Sequence, residues 1–194
     1  RSSSSAASDV YKRQPLTLVV KLREGVIFPA KPGVMEAREF VADDVIYSYD
    51  LVNDSPKRIP TYFDHIERLE ARDEHTVVFH LNQYNAEWPY RFGYGYYSGI
   101  SPREMEKVDR KRWQNVTGTG PFALERYVQA NAQIYKKNEQ YWDSALVGGS
   151  RHPLPFVDKV IYRIIKDEAT YLTALRTGQL DILEAIRWIA SKTV

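Results

Sequence analysis

The sequence predicts an α/β chain of mixed α+β character, and three observations lead there. Two stretches, Ile66 to Leu81 and Phe122 to Lys137, place extended runs on either side of a polar break, the pattern of β-hairpins. One stretch, Val41 to Val52, repeats apolar residues at helical spacing. The β-forming run from Val157 to Ile165 is followed by a capped helix and a short apolar run, a strand-helix-strand order that suggests a right-handed crossover.

A chain of 194 residues, 43% hydrophobic and 27% charged, is long enough for one sizeable domain or two small ones. It contains no Cys, which excludes disulfides, thiolate metal sites and cysteine nucleophiles. No run approaches the roughly 20 apolar residues that span a bilayer as a helix. The first fourteen residues, RSSSSAASDVYKRQ, are Ser/Ala-rich and without periodicity. They lack an apolar core segment and read as a foreign tail at residues 1–14 rather than a targeting peptide. They hold Arg1, Lys12, Arg13 and Asp9; 27 bases less those three, and 25 acids less that one, leave 24 of each. The basic balance therefore belongs to the tail, and nucleic acid is not an expected partner.

Leu16, Leu18, Val20 and Leu22 alternate with Thr17, Val19, Lys21 and Arg23, which predicts a strand with one face on a core. Gly25 ends it, Val26 to Phe28 resumes briefly, and Pro29 to Phe40 reads as a long loop. In the helix that follows, Val45, Tyr49 and Val52 share a face, with Ile46 beside them, and Asp43 and Asp44 meet the positive end of the dipole. Val41 stands at the N-cap, so this helix start is expected to be poorly satisfied. After a proline-containing loop, the hairpin Ile66 to Leu81 turns at Arg72 to His75. Glu87 to Tyr90 reads as a short helical turn. Ser101, Pro102 and Glu104 read as a capping box opening a helix toward Val108.

Thr117-Gly-Thr-Gly-Pro121 marks a tight backbone passage before the second hairpin, which ends on the aromatic pair Tyr141-Trp142. Gly148 to Pro155 reads as a loop. Asp167 is placed to cap a helix carrying Leu172 and Leu175 inward, with Gly178 at its C′ position. Leu180 to Leu183 then reads as a short buried strand.

Four of these stretches together resemble family 5 of the extracellular solute-binding proteins, the oligopeptide and dipeptide receptors of ABC importers. Val20-Lys-Leu-Arg-Glu-Gly-Val26 is similar to that family's "LREGV" strand. Leu69-Glu-Ala-Arg-Asp-Glu-His-Thr-Val-Val-Phe-His-Leu81 is similar to its second hairpin, although Pro29 to Phe40 is longer than the family's usual turn. Gly118-Thr-Gly-Pro-Phe122 with Lys137-Asn-Glu-Gln-Tyr-Trp142 resembles its "GTGPY" and "RNPDYW" pair, and Val157 to Ile182 matches almost continuously. The resemblance runs from Leu16 to Ile182. It implies a partial type II periplasmic-binding-protein fold: an accessory domain over 15–115, part of a first lobe over 116–183, and the start of a hinge or a truncated end over 184–194. Family members are much longer, so a fragment is expected.

The resemblance also implies the function: a noncatalytic receptor, periplasmic or lipid-anchored, that captures peptides or similar small solutes and hands them to an ABC permease as a monomer. No cofactor is expected. Tyr94, Tyr96 and Tyr97, in the aromatic loop, are candidates to line the ligand cleft. Tyr62 and Trp188 join them because the segments they occupy approach the ligand in the family. The competing readings are weaker. Gly93-Tyr-Gly-Tyr-Tyr-Ser-Gly99 imitates a dinucleotide fingerprint, but its third glycine is one position late. His65, His75, His80 and His152 are scattered, with His75 and His80 expected on opposite faces of one strand, so no metal site is expected. A hydrolase would need two carboxylates converging in a pocket. A ligand-sensing domain of a transcription regulator is the alternative within the same superfamily.

Overall fold

The computed structural model describes residues 16–87 and 99–183. The tail, the part from Trp88 on of the helical turn expected over Glu87 to Tyr90, and the final eleven residues lie outside them, as do Tyr94, Tyr96, Tyr97 and Trp188.

Two three-stranded antiparallel sheets follow one another along the chain, and no strand is shared between them. The first is ordered β1 (Thr17–Lys21), β5 (Thr76–Leu81), β4 (Ile66–Asp73). Its centre is β5, where Val77 faces Val20 and Ala71 across the two ladders, so β5 is buried on both faces. Helix α1 (Ala42–Asn53) lays Val45, Tyr49 and Val52 against a core of Ala42, Phe63, Ile66, Val77, Phe79 and Leu81. Leu18, Val20 and Leu22 reach the same core from β1, as their alternation predicts. The stretch Pro29 to Phe40 is not featureless: β2 (Ile27–Phe28) pairs with β3 (Arg38–Glu39), which brings Arg38 beside the start of α1. Helix α2 (Pro60–Phe63) closes the core's lower edge.

Helix α1 starts better than its Val41 N-cap suggests. Asp44 reaches back to accept the Val41 N–H at 3.0 Å, and the Glu74 carbonyl accepts the Ala42 N–H at 2.8 Å. Two orphan donors are thus satisfied from the helix's own third position and from the hairpin turn. Ser101 departs from expectation in the other direction. Residues Arg103–Lys107 form a short 3-10 helix whose N-cap position is Pro102, with no side-chain cap. Ser101 instead donates its N–H to Ser48 Oγ at 2.9 Å, and the Glu104 carboxylate turns to Arg38 rather than to the helix start.

The second sheet is ordered β10 (Lys159–Arg163), β7 (Ala132–Lys137), β6 (Phe122–Val128). Ala132 and Ile134 bury one face of β7, while Tyr135 stacks edge-on against Tyr162 on the other, 5.7 Å between centroids. Ala130 holds φ at +55° in the β6–β7 turn. An L-residue there costs about 1–2 kcal/mol, of which glycine's greater chain entropy offsets part. Ala130→Gly should therefore raise stability by about 0.5 kcal/mol, seen as a higher urea midpoint with an unchanged slope.

The segment before β10 corrects the loop expected there: β8 (Ser144–Val147) and β9 (Ser150–Pro153) form a hairpin. Gly148 and Gly149 both take positive φ, as a tight two-residue turn requires. Helix α3 (Glu168–Arg176) follows the reading closely. Asp167 accepts the Thr170 N–H at 2.8 Å, and Gly178, at φ +71°, completes a Schellman ending with the Gln179 N–H on the Ala174 carbonyl. Leu180 to Leu183 is not a strand, and Ile182 is 80% exposed. A crossover strand needs a parallel neighbour, and β10 pairs only with β7 among the described strands.

Candidate functional site

The described residues that flank the expected aromatic loop, Asn82 before it and Ser101 to Arg103 after it, are held by hydrogen bonds. On the near side, the Asn82 side chain donates to the Asp64 carbonyl at 2.7 Å and its N–H to the His65 carbonyl at 3.0 Å. On the far side, Ser101 is held by Ser48, whose hydroxyl donates to the Asp44 carbonyl at 2.7 Å. The Arg103 N–H is held by Asp44 Oδ1 at 3.1 Å. Asp44 is wholly buried, so helix α1 is the post to which Ser101 and Arg103 are tied.

Asp44 is also the centre of a dense polar cluster. Arg38 donates from Nη1 to Asp44 Oδ2 at 2.8 Å and from Nη2 to Oδ1 at 2.7 Å. It donates from Nε and Nη2 to the two Glu104 oxygens at 2.7 and 2.6 Å, and from Nη1 to the Glu39 carbonyl at 2.9 Å. All five guanidinium N–H groups are thereby used. The cluster floors a charged crevice of about 450 Å³, rimmed by Asp43, Glu74, Arg103, Glu106 and Lys107. Two acids do converge here, as a carboxylate hydrolase would require. For Glu104 the chemistry runs the other way: the Arg38 hydrogen bonds hold its carboxyl below its ordinary range, whereas a general acid at neutral pH needs a raised one. Each of the four carboxylate oxygens is already engaged by the same cation.

A second concavity, about 570 Å³, lies on the Tyr135 and Tyr162 face of the second sheet beside the glycine-proline passage. Pro121, Phe122, Gln133, Tyr135, Val160 and Tyr162 form it, an apolar surface with tyrosine hydroxyls and one amide. Asn138, 5% exposed, holds the passage in place by donating from Nδ2 to the Gly120 carbonyl and from its backbone N–H to Pro121, each at 2.9 Å.

Of the candidate ligand residues, only Tyr62 lies within the described chain. It is half-buried on α2, its ring 6.5 Å from that of Phe63 and packed on the edge of the first core. Tyr94, Tyr96, Tyr97 and Trp188 lie outside the described residues. His75 sits in the β4–β5 turn rather than on β5 with His80, and the two bind different partners, Glu39 at 3.2 Å and Glu70 at 2.9 Å. Among the described residues no group of three or more metal-ligating side chains converges. Sequence reasoning missed Arg38 and the central part played by Asp44. The signal for Asp44 was its place at the third helical position behind an N-cap that cannot cap. Arg38 carried none.

Comparison with known proteins agrees with this architecture. The family model for bacterial extracellular solute-binding proteins, family 5, matches residues 5–194. Di/tripeptide-binding protein 1 of Pseudomonas aeruginosa is 32% identical over 185 residues, covering 86% of this chain and 33% of that protein. The glutathione-binding protein GsiB of Escherichia coli is 28% identical over 166 residues, covering 84% and 30%. The chain thus spans about a third of the length of the curated relatives it matches. The periplasmic binding protein DppA of Helicobacter pylori, solved with the peptide STSA, superposes with a TM-score of 0.67 at 28% identity over 85% of this chain and 34% of its own. HbpA2 of Haemophilus parasuis shares the fold, with a TM-score of 0.72 at 21% identity over 93% of this chain and 38% of its own. None of these findings supports the regulator reading. The chain is a partial type II periplasmic-binding-protein fold and belongs to family 5 of the bacterial extracellular solute-binding proteins.

Proposed function

We propose that the protein of which this chain forms a part is the solute receptor of an ABC importer, and that it captures short peptides or similar small solutes. The observation that carries the reading is the family match over residues 5–194, together with relatives named for dipeptides, tripeptides and glutathione. Residues 15–115 make the smaller accessory domain, 116–183 part of the first lobe, and 184–194 lead into the hinge. The glycine-proline passage is the crossing between domain and lobe. Tyr62, Tyr94, Tyr96, Tyr97 and Trp188 supply apolar faces to the solute's side chains, and no residue performs catalysis. The closed complex docks, as a monomer, on a permease at the outer face of the membrane. Among the described residues no helix is long and apolar enough to cross it.

Pockets that hold small ligands enclose most of the ligand's surface, and a hinged receptor does so between two lobes. Calorimetric titration of the full-length protein with dipeptides, tripeptides and glutathione should show saturable one-to-one binding of at least one of them. The 194-residue chain alone should bind the same solute about a hundredfold more weakly or worse, because half the enclosure is missing. Equal affinity of chain and full-length protein would place the site within these residues and end the two-lobe reading.

A further inference from the structure

Trp142 and Arg23 come from opposite sides of the glycine-proline passage, yet they meet. The Arg23 guanidinium carbon lies 4.3 Å from the centroid of the Trp142 ring, well within cation–π distance. Among the described residues no salt bridge involves Arg23, and the ring is the partner it meets. Trp142 remains 39% exposed, with Tyr141 against it at 5.4 Å.

Both ends of this contact are rigidly mounted. Arg23 directly follows Leu22, whose N–H is accepted by the His75 carbonyl at 2.8 Å, and precedes Gly25, whose N–H is accepted by Glu39. His75 Nε2 in turn meets that same Glu39 carboxylate, so the turn bearing Arg23 is held to the β4–β5 turn directly and, through Glu39 of β3, a second time. On the other side, Asn138 binds the passage through Gly120 and Pro121 while its own carbonyl accepts the Tyr141 N–H at 3.1 Å. Asp143 then receives the Ser144 N–H at 2.8 Å and, through its carbonyl, the Leu154 N–H at 3.1 Å. Trp142 is thus held between Asn138, which directly follows β7 of the second sheet, and the β8–β9 hairpin. A cation and a ring that cap two rigid mounts, and join sheets sharing no strand, act on relative orientation rather than on either core.

We propose that the Arg23–Trp142 stack is a latch that sets the angle of the first sheet against the second across the passage at 117–121. The inference concerns orientation only and stands independently of which solute the protein binds. Since the chain has no Cys, two spin labels can be placed without background, at Glu67→Cys in β4 and Arg126→Cys in β6. In the full chain, Arg23→Ala should raise the population of displaced inter-label distances about two- to fivefold, the factor expected of one partly exposed cation–π pair. Trp142→Ala should do the same, the double variant should add nothing further, and Arg23→Lys with Trp142→Phe should keep part of the narrow distribution. An unchanged distribution in Arg23→Ala, or additive broadening in the double variant, overturns the latch. If Trp142→Ala does not fold, Trp142→Phe and Arg23→Ala complete the same cycle and decide it.

Discussion

Arg38→Met should lower the stability of the chain by about 3 kcal/mol, measured as the free energy of urea unfolding followed by circular dichroism. The expectation follows from what the side chain leaves behind. Asp44 is fully buried and would keep only the Val41 and Arg103 N–H groups as partners, having lost both bonds to the guanidinium. Removing one member of such a pair strands a buried charge, which costs far more than the pair itself contributes. Glu104 is partly exposed and would turn to water, so most of the loss belongs to Asp44. The double variant Arg38→Met with Asp44→Asn should recover part of it, since a neutral amide at the buried site is cheaper than an unpaired carboxylate. The pH dependence gives an independent check. In the native chain the Arg38 hydrogen bonds hold the Glu104 carboxyl below its ordinary value, so its contribution is present above the unfolded pKa and is lost as pH falls through the folded one. Arg38→Met should flatten that part of the acid limb. A loss below about 1 kcal/mol with an unchanged acid limb would mean that the cluster is ornamental to the fold.

The parts of this architecture that could be read in the sequence are those whose cause is local. Leu18, Val20 and Leu22 face the core because a strand alternates, and Asp167 and Gly178 bracket α3 because a helix end needs an acceptor at one side and a left-handed residue at the other. The hairpin β8–β9 was equally local, and the Gly148-Gly149 pair was its signal, obscured by neighbouring prolines that favour a loop. Ser101 failed for a different reason. Its spacing to Glu104 is that of a capping box, but Glu104 is claimed by Arg38, 66 positions away, and nothing in the spacing reveals that competition. Leu180 to Leu183 failed because strand character is conferred by a neighbour, and the described chain offers it none. The candidate ligand residues could be named only as an aromatic loop and two further segments. What the structure adds is the frame of Ser48, Asp44 and Asn82 that holds the described residues flanking that loop.

Phe28→Ala should cost about 3–5 kcal/mol in the same urea measurement, the range for emptying a buried aromatic site. Strand β2 is only two residues long, so its ladder to β3 cannot hold this region by itself. What holds it is the ring, 0% exposed, edge-on to Phe40 at 6.2 Å and 78°. The Arg38 guanidinium carbon lies 5.5 Å from the same ring, so Phe28 is also the floor on which the charged cluster rests. Phe28→Leu keeps most of the volume and should lose less than half as much. Because the ring supports Arg38, the losses from Phe28→Ala and Arg38→Met should not add: once the floor is gone the guanidinium is no longer held over Asp44 and Glu104 together. Full additivity would show that ring and cluster are independent, and that the β2–β3 hairpin is secured by its apolar contact alone. A shortfall of about 1 kcal/mol or more would show that a single aromatic side chain, delivered by a two-residue strand, orders the polar network that in turn holds Ser101 and Arg103.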